Sequence, residues 1–137
     1  MTATAGREEA VTIHGRQVAF RDYPGGGVPL LLLHGVGSTA ESWEPAAAEL
    51  AGSGTRVIVL DLPGHGRSSK EPGDYSLGAL ASTLRDLMDH LDVPRAILVG
   101  HSLGGGIALQ FSYQFPQRCA GLVLVASGGL GTETNIA

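Results

Sequence analysis

Several residue types that mark particular classes of protein are scarce in this chain. Cys119 is its single cysteine, so no disulfide can form within the chain and nothing indicates an oxidising compartment. No apolar run approaches the roughly 20 residues of a membrane-spanning helix, and residues 1–10 lack the apolar core of a secretory signal. These absences predict a cytoplasmic protein that does not bind a membrane, in which Cys119 packs rather than reacts.

The chain also has no concentration of charge of either sign. The chain has 9 Lys and Arg residues against 13 Asp and Glu residues, and both kinds are scattered along it. Nucleic-acid binding requires a clustered basic face, so a nucleic acid is not an expected partner.

Apolar residues and glycine are abundant by contrast. Hydrophobic residues make up 43% of the 137 residues, which is enough for one globular domain. The 21 glycines lie at strand–helix junctions rather than in a linker, which is typical of an α/β sheet with tight turns. No internal repeat or interdomain linker is visible. We therefore expect a flexible N-terminus at residues 1–10 and a single domain at residues 11–137.

A serine between two glycines forms the most informative motif. The sequence G-H-S-L-G occupies positions 100–104, with Ser102 at its centre, after the apolar run 97–99 and before helix-forming residues 107–115. This G-x-S-x-G pattern between a strand and a helix indicates a serine nucleophile on a sharp, strained turn. Gly100 and Gly104 would relieve the steric clash there, and the first helical turn would offer free N–H groups to the group under attack.

The remaining segments alternate between strand and helix. A hairpin at residues 11–23 is followed by apolar runs typical of buried strands and by segments typical of helices. The predicted strands are 29–33, 56–60, 96–99 and 121–126, and the predicted helices are 41–50, 77–91 and 102–115. Such alternation predicts an α/β fold: a mostly parallel sheet with right-handed crossovers and flanking helices, and with the hairpin at its edge.

Two further motifs precede the serine motif: His34-Gly35 at the end of a strand, and D-L-P-G-H-G-R-S at positions 61–68. Together the three resemble the N-terminal half of an α/β-hydrolase-fold protein, nearest to the branch of esterases, lactonases and carbon–carbon-bond hydrolases. The resemblance covers about residues 11–131. It implies that Ser102 is the nucleophile, that His34 orients its loop, and that loop 61–68 is structural.

The resemblance also implies an oxyanion hole made of two backbone N–H groups. One belongs to Leu103, directly after the nucleophile, and the other to Val36, with Gly37 as the alternative. Fixed donors of this kind can lower a reaction barrier by about 3 kcal/mol each.

The chain departs from the family after Ser102. The family order is Ser, then Asp or Glu, then His, but no histidine or aspartate follows Ser102, and Glu133 is the only later carboxylate. A serine needs an adjacent base, and the base needs an acid to hold its tautomer. No upstream histidine is a convincing substitute; those considered are His14, His65, His90 and His101. The triad is therefore predicted to be incomplete, its acid and base lost by truncation or carried elsewhere.

The same resemblance implies an unfinished sheet. We expect the fold to stop after about the sixth strand, without the lid and the last two strands of the family. The last strand would then form an edge that is apolar on both faces through Leu122, Val123, Leu124 and Val125. Unprotected edges pair with other chains, so we expect a homo-oligomer or a complementing C-terminal fragment at this strand.

The implied function is a serine hydrolase that acts on esters, lactones or related carbonyl compounds through an acyl-enzyme. Its partner would be a small-molecule substrate, with no metal and no cofactor, and Trp43 would line the substrate pocket or lie in the core. One alternative is a non-catalytic remnant, or a strand-swapped or complementing fragment. Another is an acyltransferase on the same scaffold, since acyl transfer uses the same serine.

Overall fold

A computed structural model describes residues 6–125 of the chain. Its centre is a six-stranded sheet in the order β1-β2-β4-β3-β5-β6. The strands are β1 (Arg7–Ile13), β2 (Arg16–Tyr23), β3 (Gly26–Leu33), β4 (Thr55–Leu60), β5 (Ala96–His101) and β6 (Cys119–Val125). The α-helices are α1 (Glu44–Gly52), α2 (Leu77–His90) and α3 (Leu103–Gln114). None of the helices within residues 6–125 is long and apolar enough to cross a membrane.

The strand directions confirm the predicted α/β sheet with an antiparallel edge. β1 pairs with β2, and β2 with β4, in antiparallel orientation. β3 lies between β4 and β5 and is parallel to both, and β5 is parallel to β6. The β1–β2 hairpin turns at His14 and Gly15, whose φ angles of 52° and 77° suit a tight two-residue turn. The carboxyl ends of the parallel strands therefore meet along one edge of the sheet.

Helices cover the two faces of the sheet unequally. α2 and α3 lie on one face and form the larger core, which includes the fully buried Leu31, Leu98 and Phe111. α1 lies on the other face, where Leu32 is buried and Val99 of β5 is only partly buried. Because successive residues of β3 and β4 are buried on opposite faces, both strands have continuous apolar sequences.

The first predicted helix, residues 41–50, is divided in the structure. A 3₁₀ turn covers Ala40–Trp43, and α1 begins at Glu44. Pro45 lies in the first turn of α1 and has no N–H to donate to the carbonyl group of Glu41. The Glu41 carbonyl oxygen instead accepts from the Glu44 N–H, which is the shorter spacing of a 3₁₀ turn.

Some strand boundaries also differ from the predicted ones. β1 begins at Arg7 and not at residue 11, because Glu8 lies on the edge strand opposite Arg21, with which it forms an ion pair. β6 begins at Cys119, two residues before the predicted start. Its predicted end at residue 126 lies outside the described residues. Apolar patterning underestimates both edge strands because part of each is polar or small.

Candidate active site

The turn between β5 and α3 carries Ser102 at its tip. Ser102 has φ 55° and ψ −116°, a strained combination for a residue with a side chain. A Cβ atom at Gly100 would lie 2.3 Å from the carbonyl oxygen of Gly104, and one at Gly104 would lie 2.3 Å from that of Leu33. Both glycines are therefore required by space, and the turn brings the start of α3 directly against β3.

The Ser102 side chain is not used in holding the turn together. Ser102 is partly exposed, and its hydroxyl makes no hydrogen bond with any of residues 6–125. The backbone holds the turn instead: the Ser102 N–H donates to the Val125 carbonyl oxygen at 3.3 Å, and the Ser102 carbonyl oxygen accepts from the Gly105 N–H at 2.9 Å. Within the described part of the chain, the hydroxyl is thus available to a substrate.

The loop after β3 packs against this serine. A Cβ atom at Gly35 would lie 3.1 Å from the Ser102 Cβ, so glycine permits the close approach. The Gly35 carbonyl oxygen accepts from the Ser38 N–H at 3.1 Å, which closes a turn around Val36. The Val36 N–H has no partner among residues 6–125, and Leu103 is the first residue of α3, whose N–H has no intrahelical acceptor. The oxyanion role of these two N–H groups stays a prediction.

His34 holds the same loop at its first residue. Its buried Nε2 accepts from the Leu62 N–H at 3.0 Å, and its Nδ1 lies 2.7 Å from the Gly35 carbonyl oxygen. Because a backbone N–H can only donate, Nε2 carries no hydrogen and Nδ1–H donates to Gly35. Burial lowers the pKa of His34, and the bond to Gly35 opposes this shift only in part. This geometry supports the expected orienting role of a neutral His34.

The loop after β4 is held to both neighbouring segments by buried polar groups. Asp61 is 6% exposed, and its carboxylate oxygens accept from the Ala40 N–H at 2.7 Å and the Arg67 N–H at 3.2 Å. The buried Ser68 hydroxyl donates to the Asp61 carbonyl oxygen at 2.5 Å and accepts from the Ala19 N–H at 2.9 Å. These bonds fit the structural role expected of loop 61–68.

The sequence motif does not distinguish Asp61 from the rest of its loop. The one available signal is Gly66, which has φ 52° and where a Cβ atom would lie 2.3 Å from the Asp61 Oδ1. The glycine is therefore needed because the loop closes directly on the carboxylate.

No histidine within residues 6–125 is hydrogen-bonded to the Ser102 hydroxyl. His101 is exposed beside it in the chain, and His65 lies 3.2 Å from a carbonyl oxygen of its own loop. His14 pairs with an aspartate of α2, and His90 is exposed at the end of that helix. Within the described residues, no imidazole is therefore hydrogen-bonded to Ser102, although the His101 Nδ1 lies beside Gly35 as the Ser102 Cβ does. The later carboxylate, Glu133, lies outside the described residues.

Trp43 lies at the edge of the core, and its role in a substrate pocket stays a prediction. It packs at the margin of the smaller core cluster, under α1. It also lines a cavity of about 250 Å³ whose other lining residues are Ser42, His101 and Val125. Because His101 directly precedes the serine, this cavity lies close to the proposed nucleophile.

Comparisons with known proteins agree with this geometry. The chain is 49% identical, over 91% of its length, to an uncharacterised protein of Mycobacterium tuberculosis. It is 46% identical, over 80% of its length, to the dihydrolipoyllysine-residue acetyltransferase component of the acetoin cleaving system of Pseudomonas putida. Its fold superposes on that of Est816, an N-acyl homoserine lactone degrading enzyme, with a TM-score of 0.83 and 35% identity over 91% of this chain.

The chain is short relative to these proteins. It spans 36% of the mycobacterial protein, 30% of the Pseudomonas protein and 49% of Est816. Residues 28–136, which include the β3 loop and the Ser102 turn, match the family described as alpha/beta hydrolase fold. Sequence, topology and family match agree, and the chain belongs to the alpha/beta hydrolase fold family.

Proposed function

We propose that the chain supplies the nucleophile and the oxyanion hole of a serine hydrolase. The observation that carries this proposal is Ser102 itself: a strained, partly exposed serine whose hydroxyl has no partner within residues 6–125 and whose side chain adjoins the Gly35 loop. Strain is retained at a turn when the fold over-determines it, and such positions cluster at active sites.

The chemistry is acyl transfer through a covalent intermediate. The Ser102 hydroxyl oxygen attacks the substrate carbonyl carbon while a base takes its proton, and the oxyanion accepts hydrogen bonds from the Val36 and Leu103 N–H groups. The leaving alkoxide departs with a proton, which leaves an acyl-enzyme. Water then attacks the acyl carbon and releases the acid and Ser102.

Esters and lactones are the substrate class that we propose. The chain resembles Est816, which degrades an N-acyl homoserine lactone, and shares with it the fold around the serine turn. Hydrolysis and acyl transfer share the acyl-enzyme and differ in the nucleophile that receives the acyl group. Release of free acid, measured without an added alcohol or thiol, distinguishes the hydrolase from an acyltransferase.

We place the acid and base of the triad outside these 137 residues. No aspartate or histidine follows Ser102 in the sequence, and no described histidine is bonded to its hydroxyl. The relatives of this chain are two to three times as long, by the shares of their length that it spans. The coding sequence beyond Ala137 tests this directly, because an in-frame aspartate followed by a histidine would supply both groups.

A fluorophosphonate probe tests the serine. We expect stoichiometric labelling at Ser102 in the chain extended by its downstream coding sequence, which would supply the base, identified by peptide mass spectrometry, and its loss in Ser102→Ala. Ser112→Ala is the matched control, because Ser112 lies on α3 and its hydroxyl donates to the Leu109 carbonyl oxygen at 2.7 Å. Absence of native labelling, or equal labelling after denaturation, would favour the non-catalytic remnant.

A further inference from the structure

Asp61 is a buried carboxylate that forms no ion pair within residues 6–125. The guanidinium group of Arg67 pairs with Glu8, and Arg67 offers Asp61 its backbone N–H. The other carboxylate oxygen accepts from the Ala40 N–H at 2.7 Å. A buried charge is costly unless hydrogen bonds satisfy it, so these two backbone groups are what stabilise a carboxylate at this position.

The Ala40 bond holds the far end of the loop that carries Val36. His34 holds the near end, because its Nε2 accepts from the Leu62 N–H at 3.0 Å. Asp61 and Leu62 are adjacent residues at the end of β4, so both ends of loop 34–40 are attached to the same short segment. Val36 lies between the two attachments.

We propose that Asp61 is a positioning residue for the oxyanion hole. By fixing Ala40, its carboxylate sets where the Val36 N–H lies relative to Ser102. This inference rests on the function proposed above, in which that N–H receives the developing negative charge. An oxyanion donor acts only when it is held at hydrogen-bond distance from the oxyanion, so a small shift of the loop lowers its contribution sharply.

The surroundings of Asp61 leave its carboxylate confined between two loops. A Cβ atom at Gly66 would lie 2.3 Å from Oδ1 and 2.8 Å from Oδ2, so the loop after β4 closes directly on the oxygens. Ser69 directly follows this loop, and its hydroxyl accepts from the Gln17 N–H of β2 at 2.9 Å without a hydrogen bond to Asp61. Substitutions at these two residues therefore distinguish an effect on the position of loop 34–40 from a general loss of support for loop 61–68.

The experiment compares Asp61→Asn with Ser69→Ala in the chain extended by its downstream coding sequence. Asparagine keeps the shape of the side chain but replaces one acceptor oxygen with an NH2 group, which would face one of the two N–H donors. We measure the second-order rate constant for fluorophosphonate labelling of Ser102, amide hydrogen exchange at Ala40 and Val36 by NMR, and the denaturant midpoint.

We expect Asp61→Asn to slow labelling about tenfold and to speed exchange at Ala40 about tenfold, relative to amides of β4. Ser69→Ala should lower the midpoint while its labelling rate and relative exchange stay within about twofold of the wild type. Equal changes in both variants would overturn the proposal, because Asp61 would then act only on general stability. An unchanged labelling rate and unchanged exchange at Ala40 in Asp61→Asn would also overturn the proposal.

The two proposals fail in different ways. If the extended wild-type chain is not labelled at all, the proposed function fails, and the exchange at Ala40 still shows whether Asp61 holds the loop. If Asp61→Asn does not fold, Ala40→Pro removes the donor and keeps the carboxylate, at the first position of a 3₁₀ turn where proline is tolerated. Proline has no N–H at position 40, so labelling is the measurement here: the same tenfold slower labelling is expected, and its absence would refute the positioning role.

Discussion

The two edge strands of the sheet are protected very differently. β1 carries charged residues, and its Glu8 pairs across the hairpin with Arg21 at 3.4 Å. β6 contains no charged residue, and its Leu122 and Val123 are 37% and 48% exposed. Charged side chains on an edge strand oppose pairing with another chain, whereas an apolar edge favours it. Among residues 6–125, charged side chains therefore protect the β1 edge of the sheet and none protects the β6 edge.

Coverage by helices follows the same division. α1 packs mainly against β4 and β2, and Val99 of β5 lies at the margin of that cluster. Val123 is the register partner of Val99 on the same face and is more exposed. We propose that β6 pairs with another chain, either a second copy or a complementing C-terminal fragment.

The largest effect on stability is expected from a substitution at the contact between α3 and β3, which joins the β6 side to the rest of the sheet. A Cβ atom at Gly104 would lie 2.3 Å from the Leu33 carbonyl oxygen, so Gly104→Ala should push α3 away from β3. We expect a loss of about 3 kcal/mol in the free energy of unfolding, measured by chemical denaturation.

Gly106→Ala is the control for that change. Gly106 lies in the same helix, and its added Cβ would lie 3.6 Å from the nearest Leu77 carbon, which is an ordinary contact. Alanine has a higher helix propensity than glycine, so the free energy of unfolding of this variant should rise by up to about 1 kcal/mol. Equal losses in both variants would show that Gly104 is not the point at which the two sides are joined.

The oligomeric state tests the open edge itself. We expect the wild-type chain to self-associate at high concentration and Val123→Lys to be monomeric, because a lysine on an edge strand opposes strand pairing. Thr12→Lys on β1, at another exposed strand position, should leave association unchanged. Size-exclusion chromatography with light scattering gives the masses. A wild-type chain that is already a clean monomer at high concentration would remove the difference between the edges.

The pH dependence of stability tests the middle of the sheet, where His34 follows β3. Neither edge strand contains a histidine. The pKa of His34 is lowered in the folded chain, so the unfolded chain binds the proton more readily and stability falls as the pH drops below about 6.5. We expect the free energy of unfolding to be lower at pH 5.5 than at pH 7.5 by up to about 1 kcal/mol. His34→Asn should weaken this dependence and the exposed His90→Gln should retain it. An identical pH profile in His34→Asn would contradict the assignment.

The smallest effect is expected on the charged edge. Glu8→Gln removes ion pairs with Arg21 and Arg67, but Glu8 is about half exposed. Exposed pairs contribute little, so unfolding should become easier by about 0.5 kcal/mol at low salt and by less at high salt. Glu49→Gln, an exposed change on α1, provides the baseline. A loss of several kcal/mol would mean that β1 depends on this charge far more than an edge strand should.

Local patterns in the sequence were sufficient to predict the sheet and the turn that carries Ser102. Buried parallel strands have continuous apolar sequences, and the strained turn needs glycine at 100 and 104. Asp61 could not be assigned in the same way, because its partner Ala40 is 21 residues away in the chain and contributes only a backbone N–H. Contacts of this kind leave no mark on periodicity.

One hydrogen bond links the exposed strand to the proposed nucleophile. The Ser102 N–H donates to the carbonyl oxygen of Val125, the last described residue of β6. Fraying or capture of this strand would therefore change the backbone that orients the serine. If β6 pairs with another chain and Ser102 is the nucleophile, as we propose, assembly and reactivity share this one hydrogen bond.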